Sequence, residues 1–308
     1  MKDPLDISHD VSSALNRNEA VVALESSVIA QGLPSPVNVE TALAMEEAVR
    51  ECGATPATIG VIEGKVRVGL TREEIEKLGQ GSAAKVTARD IPFAVACGLD
   101  GGTTVSATAR IAANAGISVM ATGGIGGVHR DSASTHDISS DLWEMTRTPI
   151  VIVASGPKAV LDVPATAEWL ETHSIPVYGY RTDELPAFCS LRSGARVPRF
   201  DDLAQLGEIV RVSFGALGMR SSMLVAVPVP DADAIDADAE IASAAREAAE
   251  QGIHGKELTP WLLKRVADLT GGKSQQANIA LLKNNAIVAA ELARVLLEDS
   301  QRRMGFMV

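Results

Sequence analysis

The chain has 308 residues, of which 28 are lysine or arginine and 39 are aspartate or glutamate, so its formal net charge is −11. Hydrophobic residues make up 46% and charged residues 22%, a globular balance that excludes general disorder. The acidic total argues against nucleic acid or an anionic membrane as a partner, because both attract clustered lysine and arginine. No apolar run is long enough for a membrane helix, no apolar leader is present and the three cysteines are far apart, so we expect a soluble, cytoplasmic protein.

Short runs typical of β-strands alternate with helical patterns through the first two thirds of the chain. Val21–Leu24 is typical of a buried strand, and 37–52 carries apolar residues at helical spacing. Thr71 and Glu74 form a capping box that predicts the start of a short helix. Further strands are predicted at 117–121, 150–154 and Val177–Tyr180, and a further helix at 164–170.

The last third of the chain has a different pattern. A connection rich in proline and aspartate at 227–233 precedes a mostly helical region, in which Ser274 is expected to cap a long helix that runs to Leu297. Strands that alternate with helices predict an α/β fold, here an α-β-α sandwich with a central mixed, largely parallel sheet and a helical C-terminal layer. Because no stretch has the composition of a flexible linker, we expect residues 1–308 to form a single domain.

Two glycine-rich stretches flank one predicted helix–strand unit. Asp100-Gly101-Gly102-Thr103-Thr104 leads into the helix, and two glycines before a helix let backbone N–H groups approach an anion. The second stretch, Thr122-Gly123-Gly124-Ile125-Gly126-Gly127, has four glycines in five residues, which indicates a close approach of the backbone to another group. Neither is a Walker A loop or a GxGxxG motif. Tight turns alone are the alternative explanation of either stretch, but they explain two stretches that flank one unit less well.

The segment His136-Asp137-Ile138-Ser139-Ser140-Asp141 concentrates carboxylates and hydroxyls. These are the oxygen ligands that Mg²⁺ and Mn²⁺ prefer. Serine and aspartate are also preferred at helix N-caps, and Leu142 begins a helical pattern directly afterwards. The segment therefore predicts a helix cap, a metal or ligand site, or both.

Several single residues are candidates for catalysis or binding. Lys158 follows the strand at 150–154, where open α/β sheets bind ligands, and its amine could act as a nucleophile or lie on the surface. Glu25 follows Val21–Leu24 and could transfer protons or pair with a cation. Lys85 could bind a phosphate or be a surface lysine. Asn278 and Asn285 share one face of the long helix and could bind a ligand or buried backbone groups.

These residues together resemble the indigoidine synthase A-like family, the pseudouridine-5′-phosphate glycosidases. The resemblance runs from about residue 20 to residue 290. The runs that carry it are Val22-Ala23-Leu24-Glu25-Ser26, Gly101-Gly102-Thr103-Thr104-Val105, Ala121-Thr122-Gly123-Gly124-Ile125-Gly126-Gly127-Val128-His129-Arg130, Asp137-Ile138-Ser139, Ala187-Phe188, Gly255-Lys256-Glu257-Leu258-Thr259-Pro260 and Asn278-Ile279-Ala280-Leu281.

The resemblance implies reversible cleavage of pseudouridine 5′-phosphate to uracil and ribose 5-phosphate, with Lys158 as the nucleophile and Glu25 as the proton donor. It implies one divalent ion per subunit, Mn²⁺, held by Asp137, and a homotrimer whose partner is a small-molecule substrate rather than nucleic acid or a membrane. The residues expected to contact substrate are Lys85, Val105, Ser139, Ser140, Asp141 and Asn285.

The implied reaction breaks a carbon–carbon bond, so protonation of a leaving oxygen, as in two-carboxylate glycosidases, does not apply. An amine that adds to C1′ and forms an imine with ring-opened ribose offers another route, with a carboxylate moving protons. The alternatives are a Schiff-base lyase or aldolase acting on another phosphosugar, and a non-catalytic sensor of phosphorylated metabolites. Pro157, His136 and Val227 depart from the family pattern, which bears on substrate preference more than on reaction class.

Overall fold

The computed structural model describes residues 5–305, without the side chains of 256 and 299–305. Eleven strands between residues 5 and 226 form one mixed sheet. The strands are β1 (Leu5–Ile7), β2 (Val21–Leu24), β3 (Thr55–Ile62), β4 (Lys65–Val68), β5 (Ala84–Val86), β6 (Gly101–Thr103), β7 (Val119–Ala121), β8 (Val151–Ala154), β9 (Val177–Tyr180), β10 (Arg199–Phe200) and β11 (Met223–Ala226).

The strand order is β1-β4-β3-β2-β7-β8-β11-β9-β10, and β6 pairs with both β3 and β5. The pairs β3–β4 and β3–β6 are antiparallel, whereas the other pairs of the described strands are parallel. The predicted mixed, largely parallel sheet is therefore confirmed. Parallel strands need crossover connections, which the helices between them supply.

The helices are α1 (His9–Asn16), α2 (Val37–Glu51), α3 (Arg72–Leu78), α4 (Ile91–Ala96), α5 (Val105–Asn114), α6 (Ser132–Thr135), α7 (Ser140–Met145), α8 (Val163–Thr172), α9 (Leu203–Val210), α10 (Asp238–Glu250), α11 (Leu258–Leu269) and α12 (Lys273–Gly305). Two short π-helical turns lie at Val28–Gly32 and Arg211–Ala216. No helix in the described range combines the length and the apolar character needed to cross a membrane.

Helices cover both faces of the sheet because successive side chains of a strand point to opposite faces. In β2, Val22 and Leu24 pack in the core that also contains buried residues of α2, α9 and α12. Val21 and Ala23 pack in the opposite core, with buried residues of α1, α5, α7 and α8. This arrangement is the predicted α-β-α sandwich.

Most of the predicted elements have the expected positions. Val21–Leu24 and Val177–Tyr180 are strands with the predicted bounds, and the strands predicted at 117–121 and 150–154 are β7 and β8. The capping box is present, since the Thr71 hydroxyl accepts from the Glu74 N–H and the Glu74 carboxylate accepts from the Thr71 N–H. Short apolar runs and one capping motif were therefore a sufficient guide to the structure of these segments.

The start of the long helix α12 differs from the prediction. It begins at Lys273 and extends past Leu297, so Ser274 is inside its first turn and is not the cap. The Ser274 N–H donates instead to the Thr270 hydroxyl at 3.2 Å. The prediction of Ser274 as N-cap was wrong because Thr270, four residues earlier, satisfies this free N–H group of the first turn.

The first glycine-rich stretch also differs from the prediction. Gly101 and Gly102 belong to strand β6 rather than to a loop that presents free N–H groups at a helix start. A Cβ atom on Gly102 would lie 2.7 Å from the Cβ of Ala30 and 2.8 Å from the carbonyl oxygen of Ser26. Glycine is required here because neighbouring protein atoms crowd the strand.

Candidate active site

Three neighbouring parallel strands end side by side at one edge of the sheet. In the strand register Leu24 of β2 lies beside Ala121 of β7, and Ala121 lies beside Val153 of β8. The residues directly after these strands, Glu25, Thr122 and Ser155, are therefore brought close together. This is the edge at which open α/β sheets bind their ligands.

Glu25 is only 4% exposed, and each of its carboxylate oxygens accepts a hydrogen bond from a hydroxyl group. Ser27 Oγ donates to Oε2 at 2.5 Å, and Thr122 Oγ1 donates to Oε1. Two donors on two different segments hold the carboxylate in one orientation. A fixed, buried carboxyl group at a strand end has the placement expected of a general acid or base.

Lys158 reaches the same edge through the turn that follows β8. The backbone N–H of Lys158 donates to the carbonyl of Ile125 at 3.0 Å, and the backbone N–H of Ile125 donates to the carbonyl of Gly156 at 3.0 Å. These two bonds connect the turn to the second glycine-rich stretch. Gly156 has φ +73°, and a Cβ atom there would lie 1.9 Å from the carbonyl oxygen of Pro186. The local sequence thus fixes the backbone directly before the half-buried Lys158.

Glu25, Lys158 and Lys85 line one cavity of about 40 Å³. Lys85 comes from β5, where it pairs in register with Gly102 of β6. Three of the residues predicted to act in catalysis or substrate binding are therefore brought together. The other lining residues are Ser27, Val28, Gln31, Gly32, Gly123, Gly124, Phe188, Thr259, Pro260, Leu263, Asn278 and Leu282.

A second cavity of about 1050 Å³ adjoins the first. A ligand of nucleotide size cannot fit in 40 Å³ and must extend into the larger space, since pockets for such ligands measure about 300–1,000 Å³. The residues shared by the two cavities are Gln31, Gly32, Phe188, Pro260, Leu263 and Asn278.

Cys189 lines the larger cavity, and burial raises the pKa of its thiol to about 12.

Asp141 connects three segments through its carboxylate. It is buried, and Oδ1 accepts from the Ser106 N–H at 2.9 Å while Oδ2 accepts from the Gly126 N–H at 2.9 Å. Ser106 is in the first turn of α5, directly after Val105, where N–H groups have no partner within the helix. Asp141 therefore ties the start of α5 to the second glycine-rich stretch.

Ser139 caps helix α7, since its Oγ accepts from the Asp141 N–H at 3.2 Å. The capping alternative is thus confirmed for this residue. Ser140 follows in the first turn, with its hydroxyl 3.5 Å from that of Ser106. The structure brings Val105, Ser139, Ser140 and Asp141 together at the start of α5, outside the lining of the small cavity.

Asp137, the predicted metal ligand, is 35% exposed at its side chain, and its Oδ2 lies 3.9 Å from Nε2 of the buried His129. Within the described residues no group of three histidine, cysteine, aspartate or glutamate side chains is arranged as a metal cage. One carboxylate with a nearby imidazole suits a divalent ion that keeps most of its water. The residues fit a hydrated ion and not an ion enclosed by protein ligands.

The two asparagines of α12 have different surroundings. Asn285 is fully buried, and its Nδ2 donates to the carbonyl of Thr122 at 2.8 Å and to Ser155 Oγ at 3.1 Å. Asn278 lines both cavities. Seven residues span about 10.5 Å of helix, so the two side chains do not reach the same point. Asn285, predicted to contact substrate, supports the strand ends beneath the site.

Ser27, Thr122 and Gln31 belong to the site but were not predicted. Ser27 and Thr122 follow apolar strands closely, and the same position that pointed to Glu25 could have pointed to them. No pattern in the sequence indicates Gln31, since its place depends on the π-helical turn. The three departures from the family pattern, Pro157, His136 and Val227, are not among the residues that line the small cavity.

The fold and this group of side chains define a class of protein. It is an α/β sandwich with a small-molecule site at the carboxyl ends of parallel strands, in which a buried carboxyl group and an amine line one cavity. Such a pair can combine proton transfer with nucleophilic addition.

The chain belongs to the family described as indigoidine synthase A like protein, whose family model matches residues 10–295. It is 48% identical over 294 residues to a pseudouridine-5′-phosphate glycosidase of Caldanaerobacter subterraneus subsp. tengcongensis, covering 94% of this chain and 95% of that relative. It is 50% identical over 297 residues to a pseudouridine-5′-phosphate glycosidase of Methylobacterium nodulans, covering 95% and 88%. The predicted family is confirmed.

Two solved structures share the fold over nearly their whole length. The prealnumycin C-glycosynthase AlnA, in complex with ribulose 5-phosphate, superposes with a TM-score of 0.89 at 40% identity, covering 97% of this chain and 98% of that one. An indigoidine synthase A-like protein of Thermotoga maritima superposes with a TM-score of 0.86 at 38% identity, covering 95% and 96%.

Proposed function

We propose that this protein reversibly cleaves the C-glycosidic bond of pseudouridine 5′-phosphate, giving uracil and ribose 5-phosphate. The observation that carries the proposal is the convergence of Glu25, Lys158 and Lys85 on one cavity at the strand ends. The names of the relatives support the reaction, and the complex of the structural neighbour with ribulose 5-phosphate supports a five-carbon phosphosugar as ligand.

Lys158 supplies the nucleophile in this mechanism. Its neutral amine adds to C1′ of the ribose, the C1′–O4′ bond breaks and the ring opens as O4′ takes up a proton. The C1′–C5 bond to uracil then breaks as C5 is protonated, and the electron pair on the lysine nitrogen forms the imine. Water hydrolyses the imine, which releases ribose 5-phosphate and restores the amine.

Glu25 moves the protons of these steps. Its carboxyl group is held by Ser27 and Thr122, so it keeps one direction while the protonation state changes. A positioned proton donor contributes roughly 10²–10⁴-fold to the rate. Asn285 supports this arrangement from below, because it donates to the carbonyl of Thr122.

The 5′-phosphate is bound at the end of the site marked by Lys85. A lysine ammonium is a suitable point charge for a phosphate, whereas the start of α5 is already neutralised by the Asp141 carboxylate. Val105, Ser139 and Ser140 lie at this helix start, and Asp141 holds its backbone in place. Binding energy from the phosphate can orient the ribose at the reacting carbon.

Asp137, with His129 close by, would hold the hydrated divalent ion, Mn²⁺ by resemblance, that this function implies. When bound, the ion would supply positive charge that attracts the phosphate group. Asp137, 35% exposed at its side chain, is open enough to bind an ion that retains its water.

We further propose that the protein works in the cytoplasm as a homotrimer. The apolar face of α12 does not support this, because Leu281, Leu282 and Leu292 are buried within the chain itself. Phe93 and Trp143 are 65% and 56% exposed, so they are the large apolar side chains that a contact between subunits would cover. Sedimentation of a stable monomer at micromolar concentration would contradict the trimer.

The proposal is tested by uracil release from pseudouridine 5′-phosphate and by borohydride trapping with ribose 5-phosphate. Reduction of the imine should fix the sugar on the Lys158 peptide. Lys158→Arg keeps the charge but cannot form the imine, so it should lose both trapping and turnover. Lys65→Ala, an exposed lysine of β4, is the matched control and should keep both.

The same experiment separates the alternatives. A lyase or aldolase acting on another phosphosugar would trap sugar at Lys158 but release no uracil. A non-catalytic sensor would do neither. Uracil release at the wild-type rate by Lys158→Arg would remove Lys158 from the mechanism, and trapping on the Lys85 peptide would exchange the roles of the two lysines.

A further inference from the structure

Gln31 occupies an unusual backbone segment beside the site. It lies in the π-helical turn Val28–Gly32, which begins three residues after Glu25, and turns of this kind occur frequently at functional sites. Its Nε2 donates to the carbonyl of Ala83 at 2.8 Å. This bond fixes the orientation of the amide, because the reversed amide would place its oxygen against the Ala83 carbonyl oxygen.

The other end of the same amide has no partner. Gln31 Oε1 is buried, and no donor among the described residues lies within hydrogen-bond distance. Buried acceptors are almost always paired, because leaving one unpaired costs the desolvation of that group. Gln31 also lines both cavities, so a ligand that occupies them lies beside this side chain.

The chemistry of the proposed substrate limits which group can pair with Gln31. An ionised phosphate has no hydrogen to donate, so the donor is a ribose hydroxyl or an N–H of the base. Lys85, at the proposed phosphate end, lines the small cavity and not the larger one, whereas Gln31, Phe188 and Asn278 line both. The base of a nucleotide oriented this way lies beside the residues that the two cavities share.

We infer that Gln31 Oε1 accepts a hydrogen bond from an N–H group of the uracil ring and makes Gln31 a specificity-determining residue. In a C-linked nucleotide both ring nitrogens, N1 and N3, carry a hydrogen, so the base offers two candidate donors. This inference rests on the proposed function for the identity of the base. It adds a polar contact on the leaving group, at the opposite end of the substrate from the phosphate.

The test compares a variant that lacks the acceptor with a charged variant that keeps it. Gln31→Leu removes both the donor to Ala83 and the acceptor, whereas Gln31→Glu removes the donor and keeps an acceptor. A residue that only anchored the turn to Ala83 would give the same result in both. The melting temperature of each variant reports the loss of the anchor separately.

The measured quantity is kcat/KM for pseudouridine 5′-phosphate and for its 1-methyl and 3-methyl derivatives. In the wild type, methylation of the N–H that donates to Gln31 should reduce kcat/KM by roughly ten- to a hundredfold. Gln31→Leu should lose most of this discrimination, and Gln31→Glu should keep it. Leucine has nearly the volume of glutamine, so the steric cost of the methyl group is similar in both proteins and cancels in the comparison.

Equal discrimination by wild type and Gln31→Leu against both methyl derivatives would overturn the inference. The 2′-deoxy derivative of the substrate is measured in the same way. If Gln31→Leu loses discrimination against this derivative alone, the inference is overturned too, because the donor would then be a ribose hydroxyl. Calorimetry of uracil, 1-methyluracil and 3-methyluracil binding to the same proteins measures the preference for the unmethylated base without turnover. An inactive wild type that still prefers uracil through Gln31 would refute the proposed function and leave the inference standing.

Discussion

Asp141 was expected to contact substrate, but both of its carboxylate oxygens accept hydrogen bonds from backbone N–H groups. We predict that its main contribution is to folding stability. Asp141→Ala leaves the N–H groups of the buried Ser106 and the half-buried Gly126 without this acceptor. Hydrogen bonds to a charged group contribute about 1.5–3 kcal/mol each, so the loss of two should lower the free energy of unfolding by about 3–6 kcal/mol.

Asp141→Asn should cost less. The asparagine oxygen can still accept from one of the two N–H groups, but its NH₂ group faces the other, so about 1.5–3 kcal/mol is lost. Because whole domains are stable by only about 5–15 kcal/mol, both changes are large enough to measure. Asp131→Asn is the control, since this exposed side chain makes no cap hydrogen bond and should change stability by less than about 0.5 kcal/mol.

Urea denaturation followed by tryptophan fluorescence measures these differences, because Trp143 lies in the same helix as Asp141. The expected order of stability is wild type and Asp131→Asn, then Asp141→Asn, then Asp141→Ala. Unchanged stability of Asp141→Asn together with a large rise in KM would refute the reasoning, because it would mean that the carboxylate acts on substrate directly.

Three further predictions concern the metal, the phosphate and the buried thiol. Asp137→Asn should keep the fold and raise the Mn²⁺ concentration needed for half-maximal turnover, whereas full wild-type activity in excess chelator would contradict a metal requirement. Unphosphorylated pseudouridine should be a very poor substrate in uracil-release assays. Lys85→Ala should lower kcat/KM for the nucleotide more than kcat/KM for the nucleoside, so that the ratio of the two values falls. Burial raises the pKa of Cys189 to about 12 from an ordinary value of 9.0, so the unfolded chain loses this proton first and the free energy of unfolding falls as pH rises through that interval. Cys189→Ala should flatten the fall, which alkaline urea titrations would detect.

The fold was predictable where a single strong pattern dominates. β2, β7 and β8 are short apolar runs that are buried on both faces, so hydrophobicity alone identifies them. β3 was not predicted, because Pro56 and Gly60 disfavour a strand locally and only pairing with its neighbours on both sides overrides them. β6 was missed for a related reason, since two of its three residues are glycines that are required by crowding from outside the segment.

The site was predictable where a residue able to take part in catalysis closely follows a recognisable strand in the sequence. Glu25 and Lys158 satisfy this condition, and the structure places both on one cavity. The contrast between Asn278 and Asn285 could not be predicted, because both lie on one face of α12 and only the position of the sheet edge decides which reaches the cavity. The same holds for Gln31, whose buried oxygen is defined by residues far away in sequence.

The long helix α12 has a consequence for the synthesis of the protein. Its Asn278 and Asn285 contact the cavity and the strand ends, yet they are made long after Glu25, Lys85 and Lys158. Between Lys158 and Asn285 the ribosome adds 285 − 158 = 127 residues, which takes roughly 6–25 s at about 5–20 residues per second. During that interval the nascent chain holds an amine and a carboxyl group on an unfinished sheet whose apolar face α12 has yet to cover, so activity should appear only when the last helix has left the exit tunnel.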